Sequence, residues 1–434
     1  MSNIIVAFDL GTSHITGLAG RIDPDGITIL ASGMEGSASI MRRGNIFNTE
    51  EVAAKIKRIV LKLENQLDGQ KIKRVYVGIG GHTIRSIDYV VTTTQDMDTA
   101  VTEETIRYLM GECRKFRPAG LDVLEILPPT YYIDNQPVNT SPIGVYFKRI
   151  EARFKIIVGS PTIQDRVKKC FEKIGIEIAG LVITPLALSD FVLSPENKQQ
   201  GCALVGFGGG VTSVTVFKKG ALADLFVIPF GGSLVTKDIM SLKVVQEEAE
   251  RLKRDYGSAI LAKNDNGDPI SLNISNYKGR ETITQKEINN AVEARVAEIV
   301  EYVETRLRSQ GNITNLDAGI YIAGGASLLR NLPELLRAET KKDVQRIDYP
   351  KGKVLEGENL AKDYRTISAV AILALGTQDC CEEQKAVVVD DPKEDEQPPV
   401  KPPKEKKPKK KIPFINNLFG DLKGAIEGAI NDME

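Results

Sequence analysis

Ile4-Ile5-Val6-Ala7-Phe8-Asp9-Leu10-Gly11-Thr12-Ser13-His14-Ile15 is the stretch that decides the fold. It reads as an apolar strand from Ile4 to Phe8, a tight turn from Asp9 to Ser13, and a second strand beginning at Ile15. The pattern returns about 200 residues later, as in a chain built from two similar halves. There Ala203-Leu204-Val205 leads into Gly206-Phe207-Gly208-Gly209-Gly210 and a β-branched strand from Val211 to Val216. Two such hairpins also arise by chance in α/β proteins, so the repeat alone decides nothing.

The turns carry the chemistry. Backbone amides at a tight hairpin, freed of Cβ bulk at Gly11 and at Gly208, Gly209 and Gly210, can converge on phosphate oxygens. The hydroxyls of Thr12 and Ser13 add donors. Asp9 is placed to hold a magnesium ion, directly or through water. A third turn, Ala323-Gly324-Gly325-Ala326-Ser327, lets an adenine or ribose lie flat on backbone before a helix starting near Ser327. Glycine turns are mostly only turns; the ordered set of three is far more specific.

Between these turns the chain reads as mixed α/β. A helix follows Thr49, read as its N-cap, with Val52, Ile56, Ile59, Val60 and Leu63 at helical spacing, and then strand Val75–Ile79. Residues from about Ile84 to Phe154 form a separate unit: strand Tyr89–Thr93, helix Glu103–Phe116, and strands interrupted by Pro128-Pro129 and by Asn139 to Pro142. A crossover helix at Asp165–Ile174 returns to Leu181-Val182-Ile183. Later come a helix at Val244–Tyr256, a polar hairpin at Asn264–Asp268, and a long helix opened by the capping box Thr284-Gln285-Lys286-Glu287. Strand Ala318–Ile322 and helix Ile367–Leu375 follow.

The chain has 434 residues, 42% hydrophobic and 26% charged, with a formal net charge of −1. That length suits about three domains, and the balance of charge argues against a nucleic-acid partner. Five scattered cysteines without a C-x-x-C pair read as reduced thiols of a cytosolic protein, with Cys380-Cys381 packing at a helix end. His14 and His82 have no metal-ligand neighbour at helix spacing, against a zinc site, and no run of 18 apolar residues could span a membrane.

The C-terminus is different in kind. Residues 382–411 hold six prolines, an acidic cluster from Asp390 to Glu396, and seven lysines among the eleven residues Lys401–Lys411, a composition that builds no core and reads as a disordered tether. Beyond it Ile415, Leu418, Phe419, Leu422, Ile426, Ala429, Ile430 and Met433 fall on one face of a helix. Gly420, Gly424 and Gly428 lower its intrinsic helicity, so this helix is expected to fold on an anionic lipid surface, with Lys406 to Lys411 at its flank.

Taken together, these motifs resemble the actin-like ATPase superfamily and, within it, the FtsA family of bacterial cell-division proteins. The likeness spans essentially the whole chain: the loops at Asp9–Ser13 and Gly206–Gly210, the adenosine motif Gly319–Ala326, connecting helices at Leu181–Leu193 and Tyr364–Leu375, and the segment Ile228–Gly232 with Val235–Asp238. The unit after Ile84 resembles the subdomain peculiar to that family. The resemblance implies an α/β, actin-like (ribonuclease H-like) two-lobed fold. Its parts would be subdomain 1A (1–84 and 155–198), inserted 1C (85–154), 2A (199–229 and 310–381), 2B (230–309), the linker 382–411 and the terminal helix 412–434. It implies ATP and Mg²⁺ as cofactors, and it adds Glu250 and Lys253 near the nucleoside. It implies self-association into actin-like filaments, an FtsZ tail bound near Arg295, contacts with later divisome proteins, and a place on the cytoplasmic face of the inner membrane at the mid-cell division ring. The departures bear on turnover. Related ATPases keep an aspartate where Gly206 stands, a threonine at Val211, a polar or acidic group at Ser213, and a lysine at His14. Losing them predicts weak hydrolysis with binding retained. A sugar kinase-like enzyme or a filament-forming ATPase of the same superfamily remains the alternative.

Overall fold

The computed structural model describes residues 3–138, 140–261, 269–271, 282–347 and 352–381. Strands β1 (Ile4–Leu10), β2 (His14–Asp23) and β3 (Gly26–Gly36) form an antiparallel meander. A miniature hairpin, β4 (Met41–Arg42) and β5 (Asn45–Ile46), leads to helix α1 (Thr49–Gln66) and then β6 (Arg74–Ile79). The apolar stripe of α1 is buried as its spacing requires, but its cap is Asn48 and not Thr49. Asn48 has extended backbone, and its side-chain oxygen accepts from the amides of Glu50 and Glu51, at 3.1 and 3.2 Å.

The inserted unit comprises β7 (Arg85–Ala100), α2 (Glu103–Arg114), β8 (Asp122–Ile126), β9 (Thr130–Ile133), β10 (Gln136–Val138) and β11 (Tyr146–Gly159). β7 is far longer than the five-residue strand expected, because β11 pairs with it along nearly its whole length. The unit has its own core of Leu109, Phe147, Ile150 and Phe154. Helix α3 (Pro161–Ile174) then delivers the chain to β12 (Glu177–Ile183), parallel to β6.

The second lobe follows α4 (Thr184–Val192) and α5 (Pro195–Gln200). It begins with the meander β13 (Cys202–Phe207), β14 (Thr212–Lys218) and β15 (Ala221–Ile228). After α6 (Gly232–Met240) and α7 (Gln246–Tyr256), β16 (Pro269–Ser271) pairs with β17 (Thr282–Thr284). The long α8 (Gln285–Ser309) starts with the expected capping box, Thr284 and Glu287 bonding each other's amides. The chain continues through β18 (Ile320–Ala323), α9 (Leu332–Thr340), β19 (Val344–Arg346), β20 (Val354–Glu356), α10 (Glu358–Lys362) and α11 (Ile367–Leu373).

The repeat is physical. One sheet has the order β12-β6-β1-β2-β3-β20 and the other β19-β18-β13-β14-β15. In both, the meander is antiparallel and the two strands beyond its first member are parallel. The lobes are joined by α4, which follows β12 and lies against β14, and by α11, which lies on β1 and crosses α4. This is the two-lobed actin-like architecture.

Four further expectations are corrected. α7 begins at Gln246 and not Val244, because Val245 has extended backbone and stands as the N-cap. Gly325–Leu328 is a single 3-10 turn, and the α-helix expected near Ser327 starts only at Leu332, after left-handed Asn331. Helix α2 stops at Arg114, short of Phe116. Cys380 and Cys381 do not pack at a helix end: the Cys380 amide donates to Ile4 at 2.8 Å and Cys381 bridges Ile72, beside the first sheet. The hairpin expected at Asn264–Asp268, the tether and the terminal helix lie outside the described residues.

Glu125 of β8 is 5% exposed, and its carboxyl has no hydrogen-bond partner among the described residues. Burial first, and then the charge of Asp190, push its carboxyl up from 4.5 to about 8. Asp190 is itself held by Lys198 and leaves its Oδ2 unpartnered among the described residues. Because the folded value exceeds the unfolded one, the Glu125 proton stabilises the fold fully below pH 4.5, and that contribution is lost as pH rises through about 8. Glu125→Gln is therefore expected to raise the melting temperature above pH 8 and leave it nearly unchanged below pH 4.5. Thermal melts across that range check this, and equal melting of the two proteins above pH 8 would refute it.

Candidate functional site

The two hairpin turns face each other across the lobes. A Cβ placed on Gly210 would lie 2.5 Å from Thr12 Oγ1, and one on Gly209 would strike Ser13 Oγ. Only glycine permits this approach. The first turn is held from behind: Ser37 Oγ donates to Gly11 O at 2.7 Å, the Ser37 amide to Ser13 O at 2.9 Å, and the Gly44 amide to Thr12 Oγ1 at 2.9 Å. The second turn is held by α6, whose Gly232 and Ser233 amides donate to the carbonyls of Gly208 and Gly209 at 2.9 and 2.8 Å. These anchors use the carbonyls and hydroxyls of the turns. The amides of Thr12, Ser13, Gly209 and Gly210 donate to no protein group among the described residues. Opposed free amides of this kind suit an anion.

Asp9 sits inside β1, opposite Thr16 on one side and Gly78 on the other. Burial lifts its carboxyl from 3.8 to about 6, and the Thr184 hydroxyl at 3.5 Å only partly offsets this. A sunken carboxylate with one long hydrogen bond is a fit place for a cation or its water shell. The corresponding residue of the second lobe is Gly206, opposite Ser213 and Ala323. A Cβ on Gly206 would stand 2.7 Å from Ser213 Oγ, so a hydroxyl fills the space into which an acid would project.

The third turn closes the cleft from the second lobe. Gly324 is left-handed at φ +86° and packs against Phe207 O, a conformation and an approach that suit glycine alone. Beside it, a Cβ on Gly325 would fall 2.9 Å from the Tyr364 ring, so bulk at 325 would first displace that ring. Lys253 Nζ donates to Glu250 Oε2 at 2.7 Å, Thr236 Oγ1 at 2.9 Å and Gly232 O at 3.3 Å. A Cβ on Gly232 would be 3.1 Å from that of Ala326, which brings Glu250, Lys253 and Ala326 together at the start of α6. Burial alone would raise the Glu250 carboxyl, but the charge and hydrogen bond of Lys253 outweigh it and leave it below its ordinary value. On the opposite wall, burial and then Arg365 push His14 below 6.5, so it is neutral at physiological pH.

The structure thus brings Asp9, Gly11, Thr12, Ser13, Gly208 to Gly210, Glu250, Lys253 and Gly324 to Ala326 to one cleft. Thr184, Thr236 and Tyr364 join them; all three lie in segments quoted for the family likeness, but their contacts with the site arise only through tertiary packing. Arg295 stands apart. Its guanidinium is bidentate on Asp238 of α6, at 2.6 and 3.3 Å, and also bonds Glu298. The helix residues from Ile415 to Ile430 lie outside the described residues.

Comparison with known proteins bears on the family and the fold. The family model of cell division protein FtsA matches residues 203–371, and that of the SHS2 domain inserted in FtsA matches residues 81–158. The FtsA of Porphyromonas gingivalis is 32% identical over 335 residues, covering 76% of this chain and 70% of the relative. That of Bacillus subtilis is 29% identical over 347 residues, covering 79% and 78%. Among solved structures, a PilM–PilN type IV pilus biogenesis complex superposes with a TM-score of 0.61 at 15% identity, covering 86% of this chain and 97% of that one, a likeness of fold. On the combined evidence of sequence, insert and fold, the chain belongs to the FtsA family.

Proposed function

We propose that this chain is a cell-division protein that binds ATP with Mg²⁺, turns it over slowly, and tethers an FtsZ ring to the cytoplasmic face of the inner membrane. The observation that carries the nucleotide reading is the pair of opposed turns with free amides, beside a half-buried Asp9 whose carboxyl has one long hydrogen bond. The residues fit the group: amides of Thr12, Ser13, Gly209 and Gly210 would hold phosphates, Asp9 the metal, and Glu250, Lys253 and Gly324 to Ala326 the nucleoside. The metal would supply charge neutralisation at the phosphates. Gly206 supplies no carboxylate to orient a water, which is the reason to expect slow turnover. The division role rests on family membership. Self-association into actin-like filaments and contacts of the inserted subdomain with later divisome proteins belong to the same reading, as does the assignment of 230–309 as the partner-docking subdomain.

For the membrane, no helix among the described residues is long and apolar enough to cross it. The reading therefore relies on the apolar face Ile415, Leu418, Phe419, Leu422, Ile426 and Ile430 acting as a surface anchor. For the ring partner it relies on Arg295. An acidic peptide would replace the Asp238 carboxylate on the guanidinium, so it must beat an intramolecular competitor, and modest affinity follows.

Calorimetry with ATP tests the site. Magnesium should strengthen binding above pH 6 and lose that effect as pH falls through about 6, where Asp9 takes up its proton. Asp9→Asn should abolish both the magnesium effect and the pH step. Wild-type protein that binds no ATP, or that hydrolyses it rapidly in steady state, would contradict the reading. Protein lacking residues 412–434 should stay folded and cease to sediment with anionic liposomes, and Leu422→Glu should weaken sedimentation on its own. Arg295→Glu should lose binding to the FtsZ tail peptide by about 2 kcal/mol or more while keeping ATP and liposome binding. Unchanged peptide affinity by fluorescence polarisation would place the docking residue elsewhere.

A further inference from the structure

We propose that Arg43 supplies the cation for the terminal phosphate of the bound nucleotide, a role that nothing in the two phosphate loops can fill. The inference rests on the nucleotide reading above and extends it to a residue outside the motifs that suggested it.

The need comes first. A nucleoside triphosphate brings several negative charges into the cleft, and backbone amides supply only partial ones. Four basic residues beside the turns, His14, Arg365, Lys253 and Arg42, are neutral or engaged. His14 is neutral, pushed down by burial and by Arg365. Arg365 is bidentate on Asp363, with Nε at 2.9 Å and Nη2 at 2.5 Å from the same oxygen. Lys253 is fixed by Glu250, Thr236 and Gly232. Arg42 lays its guanidinium 3.7 Å over the Phe47 ring.

Arg43 differs from all four. It is exposed, and its side chain makes no hydrogen bond or ion pair among the described residues. Its backbone is fixed. Arg43 and Gly44 are the two central residues of the β4–β5 hairpin, at φ +49° and +75°, the left-handed pair that such a two-residue turn requires. The Gly44 amide donates to Thr12 Oγ1, the His82 amide donates to Arg43 O at 3.2 Å, and a Cβ on Gly44 would stand 2.8 Å from Gly81 N. Thr12 Oγ1 is in turn the group against which Gly210 packs. The turn bearing Arg43 is therefore one hydrogen bond from the place where the two loops meet. An arginine side chain extends about 7 Å from its Cα by ordinary bond lengths, so the guanidinium can reach a phosphate held there, and its fork suits two phosphate oxygens.

The test uses full-length protein and three ligands, ATP, ADP and adenosine, by calorimetry. Arg43→Asn removes the cation while keeping a residue that favours left-handed backbone before glycine, so the turn survives. It is expected to weaken ATP about ten-fold or more, ADP less, and adenosine not at all. Arg43→Lys should recover part of the loss, and Arg42→Ala should bind ATP as the wild type does. Wild-type ATP affinity in Arg43→Asn overturns the proposal, and so does an equal loss for adenosine, which would mark a structural role. Wild-type protein that binds neither ATP nor adenosine would instead sink the nucleotide reading beneath it.

Discussion

The contact between a hydroxyl-bearing turn and a glycine turn governs this molecule. Thr12 and Ser13 from one lobe meet Gly210 and Gly209 from the other, with no room for a Cβ between them. Each turn is pinned by its own lobe, the first through Ser37 and Gly44 and the second through the opening turn of α6. The lobes therefore touch here, in addition to their contacts through α4 and α11, and this is where free amides from both sides collect.

Much of this was legible in the sequence, for local reasons. Strand, tight turn and strand at residues 4–15 and 203–216 need only neighbours in the chain to be recognised, and the capping box at Thr284 is equally local. Boundaries failed where one residue's backbone decides them. Asn48 wins the cap from Thr49 by being the last extended residue, and left-handed Asn331 delays α9. The site's missing members are tertiary. Tyr364 meets Gly325 from 39 positions away and Thr184 meets Asp9 from 175, separations at which no pattern in one sequence points from one residue to the other. Arg43 was missed because it lies in a two-residue turn whose importance comes only from the bond between Gly44 and Thr12.

The two lobes are alike in topology and unlike in chemistry, and the difference is confined to a few positions. Asp9 faces Thr16 exactly as far into its hairpin as Gly206 lies opposite Ser213. Retaining the first acid keeps a place for a cation, at the cost of holding a carboxyl in an environment that lifts it to about 6. Giving up the second removes the group that would order an attacking water. On the proposed reading, a site so divided would favour holding a nucleotide over consuming it.

Helix α6 connects this site to Arg295. Its first amides hold the carbonyls of Gly208 and Gly209, its Thr236 hydroxyl bonds Glu250, and its Asp238 grips Arg295 on α8. All three contacts sit on nine residues, Gly232 to Met240. A helix this short moves as a unit, because bending it breaks hydrogen bonds that translation leaves intact. The same helix therefore holds the glycine turn at its start and the Asp238–Arg295 pair toward its end. On the nucleotide and partner readings proposed above, both ligands would act on that one element, and two ligands that bias one element change each other's affinity by the same factor.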